Sequence, residues 1–201
     1  MFQSDAKQDL FVANIFKYKQ DGVYVDIGSA HSVYSNNTIY FDQILNWKGL
    51  CVEYNSVYNS SYTNRKNCIY LNEDALKVQY EKVFQDNNFP NIIDYLSLDV
   101  DTISLSVLKI LPFNLYKFKV ITIEHDAYLY GDEYRNPQRK ILLDQGYHLI
   151  VENVFARVEN RLHEECPFED WYVHPDFFDM NSLKKIESKN IKPEVVISKF
   201  E

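Results

Sequence analysis

Five ionisable side chains fall in two short stretches of this chain. Asp99 and Asp101 follow the apolar run Ile92–Leu98, and Glu124, His125 and Asp126 follow Phe118–Ile123. Were both runs parallel strands of one sheet, the five groups would meet at its carboxyl edge, where such sheets bind ligands. A cluster of this kind can take the proton from a weak oxygen nucleophile. His125 is the natural general base, since histidine as a residue type titrates near neutrality, with Asp99 and Glu124 as its catalytic partners. The same oxygens, from Asp99, Glu124 or Asp126, could instead hold a hard divalent cation that acidifies a bound hydroxyl. The residue types leave base and metal both open. In the plainer alternative Glu124 and Asp126 only hydrogen-bond neighbouring loops. It is disfavoured, because three adjacent ionisable residues at one tip are costly to fold unless used.

The elements that must position these groups can be read along the chain. Val23–Ile27, Leu50–Glu53, Cys68–Leu71, Ile92–Leu98, Phe118–Ile123, Tyr147–Val151 and Trp171–Val173 read as strands. Helical spacing is expected within Asp5–Lys19, Thr38–Asn46, Ala75–Gln85, Ser104–Leu111 and from Asn136-Pro137 to a cap at Gly146. Strands alternating with helices predict an α/β fold: a mostly parallel sheet with helices on both faces.

The strand tips then acquire meaning. After the first strand stand Asp26 and Gly28, and a glycine there lets a ligand approach the backbone while nearby free amides hold an anionic group. Glu53, at the second tip, lies 27 residues beyond Asp26 (53 minus 26) and suits a pair of ribose hydroxyls. Asp74 and the Ala75 amide, after the third strand, suit an adenine ring, although Asp74 also suits a helix N-cap. A dinucleotide is disfavoured, since Ser29 and Ala30 stand where a close-approach glycine is needed for a pyrophosphate. A nucleoside with a charged tail fits better, and S-adenosylmethionine has that shape.

Composition narrows the classes. The 201 residues carry 29 acidic and 21 basic side chains, a net charge of −8. That balance argues against nucleic acid and anionic membrane as partners, because both require a basic footprint. No apolar run reaches the roughly 20 residues of a membrane span, and the N-terminus has no apolar signal core, so a cytoplasmic protein without membrane insertion is expected. The 3 cysteines, Cys51, Cys68 and Cys166, have no metal-ligand spacing and read as reduced. No repeat or linker divides the chain, so residues 1–201 are expected to form a single domain, with an N-terminal helix in 1–20 and a C-terminal extension over 176–201. The oligomeric state is not legible. An aromatic share of 15% fits a sugar-lined cavity, or simply half-buried tyrosines in strands and helices, which is the more economical reading.

The runs YVDIGSAHSVYSNNT, NWKGLCVEYN, NRKNC, IDYLSLDVD, ITIEHDAYLYGDEYR, LLDQGYHL and PFEDWYVHP resemble the FkbM-type S-adenosylmethionine-dependent methyltransferases, in order, from Val23 to Pro175. The resemblance implies a class I, Rossmann-like methyltransferase fold with six parallel strands and a seventh antiparallel. It also implies O-methylation of a carbohydrate hydroxyl, in a glycan or a sugar-bearing metabolite. Cofactor contacts are implied for Asp26, Gly28, Ser29, Ser32, Ser35, Asn36, Glu53, Tyr54, Asp74, Ala75 and Asp99. The substrate side would comprise His31, Asp101, Asp126, Tyr128, Trp171, as a sugar platform or a core residue, and His174. Two positions depart from the family: Ser32 replaces the last glycine of DxGxxxG, and Asp99-Val-Asp101-Thr102 replaces Asp-Val-Glu-Gly. The family's acids in that block therefore transfer to Asp99, and more weakly to Asp101. Two other readings remain open: a methyltransferase-like binding module without turnover, and a methyltransferase of a small non-sugar metabolite. His148 and His163 read as structural.

Overall fold

Strands buried on both faces are nearly continuous in apolar character, and that property sets the architecture here. The computed structural model describes residues 1–157 and 165–200. Eight strands form one sheet: β1 (Val23–Ile27), β2 (Lys48–Glu53), β3 (Cys68–Asn72), β4 (Ile92–Leu98), β5 (Lys117–Glu124), β6 (His148–Arg157), β7 (Glu165–Val173) and β8 (Ser188–Ile191). Their spatial order is β3-β2-β1-β4-β5-β7-β6-β8. Strands β1 to β5 pair in parallel, whereas β7 runs antiparallel to both β5 and β6. The seven expected strands are present, and the eighth comes from the C-terminal segment. It pairs parallel to β6, Val151 opposite Ser188 and Val154 opposite Ile191, and so covers an edge that would otherwise be open. Its sequence, Ser-Lys-Asn-Ile, has no apolar run, which is why it was not legible.

Helices α1 (Gln8–Ile15), α2 (Ile39–Ile44), α3 (Tyr80–Asp86), α4 (Ser104–Ile110), α5 (Ala127–Tyr130), α6 (Asp132–Asp144), α7 (Met180–Leu183) and α8 (Pro193–Ser198) flank the sheet. Successive strand residues alternate between two cores. Tyr24, Cys51, Tyr95 and Trp171 pack with Phe11 of α1, Phe41 of α2 and Val196 of α8. Val25, Leu50, Leu96 and Tyr172 pack with Phe84 of α3, Leu108 of α4 and Leu142 of α6. Helices thus cover both faces, as expected.

Two helices differ from their sequence outline. The expected helix from Ala75 begins only at Tyr80, and α6 begins at Asp132 rather than at Asn136-Pro137, with Pro137 inside it. Gly131, at φ 58° and ψ −124°, breaks the chain between α5 and α6 and sets the earlier start. Pro137 then removes one amide donor near the beginning of the helix. Gly146, at φ 87°, closes α6 in the left-handed conformation expected of a helix-terminating glycine.

Register brings the parallel tips flush: Ile27 lies opposite both Val52 and Leu98, and Leu98 opposite Ile123. Strand order reverses between β1 and β4, so the crevice for a ligand opens above their carboxyl ends.

Candidate active site

The turn after β1 folds back onto the tip of β2. The amides of Gly28 and Ser29 donate to the Val52 carbonyl at 2.9 and 3.2 Å. The Ala30 amide donates to Glu53 Oε2 at 2.8 Å and the Asn55 amide to Glu53 Oε1 at 2.6 Å. The amides of residues 28–30, expected to be free for an anionic group, are therefore used internally. Each Glu53 oxygen keeps acceptor capacity for a ligand. Gly28 has φ 83°, and a Cβ there would stand 1.7 Å from the Asp99 carbonyl oxygen, so only glycine fits.

Behind this turn lies a buried polar knot. Thr38 Oγ1 donates to Asp26 Oδ2 at 2.7 Å, and Asn36 Oδ1 accepts from the amides of Thr38 and Ile39 at 3.0 and 2.8 Å. Arg65 donates to Asp42 at 3.1 Å, to the Ser32 carbonyl at 2.8 Å and to the Tyr24 hydroxyl at 2.7 Å. Ser32 Oγ donates to the Ser61 carbonyl at 2.7 Å, and Ser29 Oγ accepts from Tyr62 at 2.7 Å. Burial pushes the Asp26 carboxyl up to about 6. Asp26, Ser29, Ser32 and Asn36, expected as cofactor contacts, are thus fully engaged in shaping the loop from behind. Ser32 faces a separate hollow of about 490 Å³, which His31 also lines. His31 Nδ1 accepts the amides of Val33 and Tyr34 at 3.1 and 3.2 Å.

The remaining cofactor-side residues converge. Gly28, Ser35, Glu53, Tyr54, Asp74, Ala75 and Asp99 line one cavity of about 680 Å³, within the roughly 300–1,000 Å³ usual for small-molecule sites. Asp5, Glu73, Lys77, Asp101 and Thr102 line it too. Asp5, which accepts from Ser35 Oγ at 3.0 Å, was missed because only the tertiary fold returns the N-terminal segment to this edge. Glu73 and Lys77 flank the third tip, and their polarity and spacing there offered the only available signal. Asp74 Oδ1 accepts the Leu76 amide at 3.0 Å, so its turn-capping role is realised alongside its place in the cavity. The one lysine of the lining is held 3.6 Å from Asp74, and acids dominate.

The five groups at the tips of β4 and β5 separate into two sets. Asp99 hydrogen-bonds with Glu124, and the Asp101 amide donates to Glu124 Oε2 at 3.1 Å. Burial, and then the Asp99 charge, push the Glu124 carboxyl well above the usual carboxylate range; burial also raises Asp99 and Asp126. Tyr128 hydrogen-bonds the Asp126 carboxyl. Oxygens of Asp101, Glu124 and Asp126 lie within 4.8 Å of one another, so the structure brings Asp101 rather than Asp99 into the expected cation-binding trio.

His125 points elsewhere. It is 2% exposed and does not line the cavity. Its Nδ1 accepts the Ala127 amide at 3.1 Å and its Nε2 lies 3.6 Å from Asp170 Oδ1. The lone pair needed by a general base is occupied, which corrects the expected role. Asp170 also receives Arg139 at 2.7 and 3.0 Å and the Asn153 amide at 2.8 Å. Burial raises the Asp170 carboxyl, but the His125 ring beside it and the hydrogen bonds from Arg139 outweigh it and hold the group at about 2.

Two substrate-side candidates also lie away from the cavity. Trp171 is 0% exposed, stacks on Phe11 at 4.2 Å and donates to Glu169 at 2.7 Å, so no ring face is open to a sugar. His174 is buried between Tyr147 and Phe177, and its amide donates to the Lys119 carbonyl at 2.9 Å, at the amino end of β5. That is the opposite edge of the sheet. His148 Nε2 lies 3.0 Å from Glu187 at the surface, and His163 lies outside the described residues.

No family model and no curated protein matches this chain. Solved structures do. Precorrin-6y C5,15-methyltransferase from Geobacter metallireducens GS-15 aligns with TM-score 0.54 and 13% identity, over 83% of this chain and 86% of that one. The 23S rRNA methyltransferase ErmE aligns with TM-score 0.54 and 10% identity, over 93% and 76%. Aeropyrum pernix fibrillarin, solved with natively bound S-adenosyl-L-methionine, aligns with TM-score 0.50 and 11% identity, over 83% and 76%. Together with the strand order, these likenesses establish a class I, Rossmann-like methyltransferase fold. Among the described residues no helix is long and apolar enough to cross a membrane.

Proposed function

We propose that the protein is an S-adenosylmethionine-dependent O-methyltransferase, formed of a single methyltransferase domain and acting in the cytoplasm. The observation that carries this reading is the acid-lined cavity at the switch point, where Gly28 presses on Asp99 and Glu53 stands at the tip of β2. A bare backbone wall at Gly28, a carboxylate for ribose hydroxyls at Glu53 and a small residue, Ala75, beside Asp74 fit the parts of S-adenosylmethionine. The acids of the lining favour a ligand bearing sulfonium and ammonium charge over a pyrophosphate. Bound S-adenosylmethionine supplies a methyl carbon activated by its sulfonium.

This chain's residues do the rest. Glu53, Asp74 and the Ala75 amide orient the nucleoside; Asp99 and Gly28 wall its other side. The β4 and β5 tips receive the acceptor hydroxyl, and the carboxylates of Asp101 and Asp126 are the groups placed to take its proton. Much of the rate in such a displacement comes from alignment of the reacting atoms at about 3–3.5 Å. His125 acts as a positioning residue between the Ala127 turn and Asp170.

For the acceptor, the FkbM-type sequence blocks support a carbohydrate hydroxyl, in a glycan or sugar-bearing metabolite. The net charge of −8 disfavours nucleic acid, although the fold is shared with an rRNA methyltransferase. Calorimetric titration with S-adenosylmethionine, followed by methyl transfer to a panel of glycans, tests the proposal. Binding and transfer are expected, and no binding at millimolar cofactor would overturn it. Binding without transfer would move the protein to the class of binding modules.

A further inference from the structure

We infer that Asp101, Glu124 and Asp126 form a site for one hard divalent cation of the Mg²⁺, Mn²⁺ or Ca²⁺ class. The site stands on its own geometry; its purpose, to hold the acceptor hydroxyl and acidify it so that its proton passes to the Asp101 carboxylate oxygen that does not face the ion, rests on the methyltransferase reading above.

Three carboxylate oxygens within 4.8 Å of one another can surround one ion, because that span is about twice a Ca²⁺–oxygen distance of roughly 2.3–2.6 Å and contracts slightly for Mg²⁺. Independently of that spacing, Asp126 is 4% exposed and its Oδ1 is buried without a hydrogen-bond partner. A desolvated carboxylate oxygen with no donor is costly; the other such buried atom among the described residues, His125 Nε2, has the Asp170 carboxylate 3.6 Å away. A cation in the trio would satisfy Asp126 Oδ1.

The rest of the protein shows how its buried acids are normally treated. Asp42 has Arg65 at 3.1 Å, Asp94 has Lys119 at 2.7 Å and Lys19 at 2.8 Å, and Asp170 has Arg139 at 2.7 Å. Among the described residues, none of Asp101, Glu124 and Asp126 pairs with a lysine or arginine. The missing positive charge is the one that an ion would bring. An all-oxygen donor set selects hard cations over zinc or copper, and His125 contributes no nitrogen because its Nδ1 accepts the Ala127 amide and its Nε2 faces Asp170. Glu124 is held in place by the Asp101 amide, whereas the exposed Asp101 side chain leaves one side of the ion open to water or an acceptor oxygen.

The test uses the full chain. Titration calorimetry with MnCl₂ and with MgCl₂, and the electron paramagnetic resonance count of free Mn²⁺, are expected to give one ion per chain with a Kd below ~1 mM. Asp126→Asn and Asp101→Asn should each weaken binding at least tenfold. Asparagine tolerates the left-handed backbone at φ 48° and 47°, so both variants keep the fold, and unchanged circular dichroism melting checks this. S-adenosylmethionine is titrated into the same samples to separate the two readings. Ion binding without cofactor binding would remove the methyltransferase reading and leave the cation site. Cofactor binding with no Mn²⁺ bound at millimolar concentration would overturn the cation site alone. Undiminished ion binding in both variants would overturn it as well.

Discussion

Gly28 and Asp99 are in backbone contact: a Cβ on residue 28 would stand 1.7 Å from the Asp99 carbonyl oxygen. This contact joins the first strand's turn to the fourth strand's tip, and so fixes the floor of the cavity. Gly28→Ala must also place a side chain at φ 83°, which costs about 1–3 kcal/mol before the clash is counted. The variant is expected to melt several degrees lower and to lose S-adenosylmethionine binding. A wild-type titration from Gly28→Ala would show that this floor does not meet the ligand.

Glu53 and Asp74 should not be equal in cofactor binding. Glu53 presents two oxygens, each already anchored by one amide, and can accept two ribose hydroxyls. Charge-assisted bonds of this kind contribute roughly 1.5–3 kcal/mol each. Asp74 has one oxygen committed to the Leu76 amide and Lys77 3.6 Å from the other. Glu53→Ala is therefore expected to weaken S-adenosylmethionine by a larger factor than Asp74→Ala, by calorimetry. Equal or reversed losses would mean that the tips are misassigned.

His125 should prove a positioning residue rather than the base. Both ring nitrogens face protein groups, Ala127 and Asp170. In His125→Gln, turnover is expected to fall while the pH–rate profile keeps the shape of the wild type. Loss of an acidic limb in that profile would restore histidine as the proton acceptor.

The buried Asp170–Arg139 pair should govern acid stability. The folded Asp170 carboxyl sits at about 2, below its ordinary value of 3.8. A depressed carboxyl contributes stability that is present above the ordinary value and is lost as pH falls from about 4 towards 2. That contribution is about 2 kcal/mol, since each tenfold change in proton affinity is worth roughly 1.4 kcal/mol. Asp170→Asn leaves Arg139 without its main partner and is expected to cost about 3–5 kcal/mol at neutral pH. Denaturant melts at pH 7 and pH 3 should show the penalty shrinking at the lower pH; a penalty independent of pH would refute the assignment.

The sequence by itself determined the fold class and the placement of Gly28, Glu53, Asp74 and Asp99. In a parallel sheet with helical crossovers, whatever follows a strand must lie at the carboxyl edge, so spacing along the chain translates into position in space. Side-chain direction at the strand ends is a different matter, because neighbouring residues point to opposite sides and one step reverses the outcome. Glu124 and Asp126 turn to the cluster, and His125, between them, turns to Asp170. Trp171 reads from sequence as either platform or core, and its place opposite Thr122 on β5, against Phe11, fixes it as core. The return of Asp5 to the cavity and the pairing of β8 with β6 join segments remote in sequence by contacts that no local pattern encodes. Only the tertiary structure decided those, since they depend on which surfaces the rest of the fold left open.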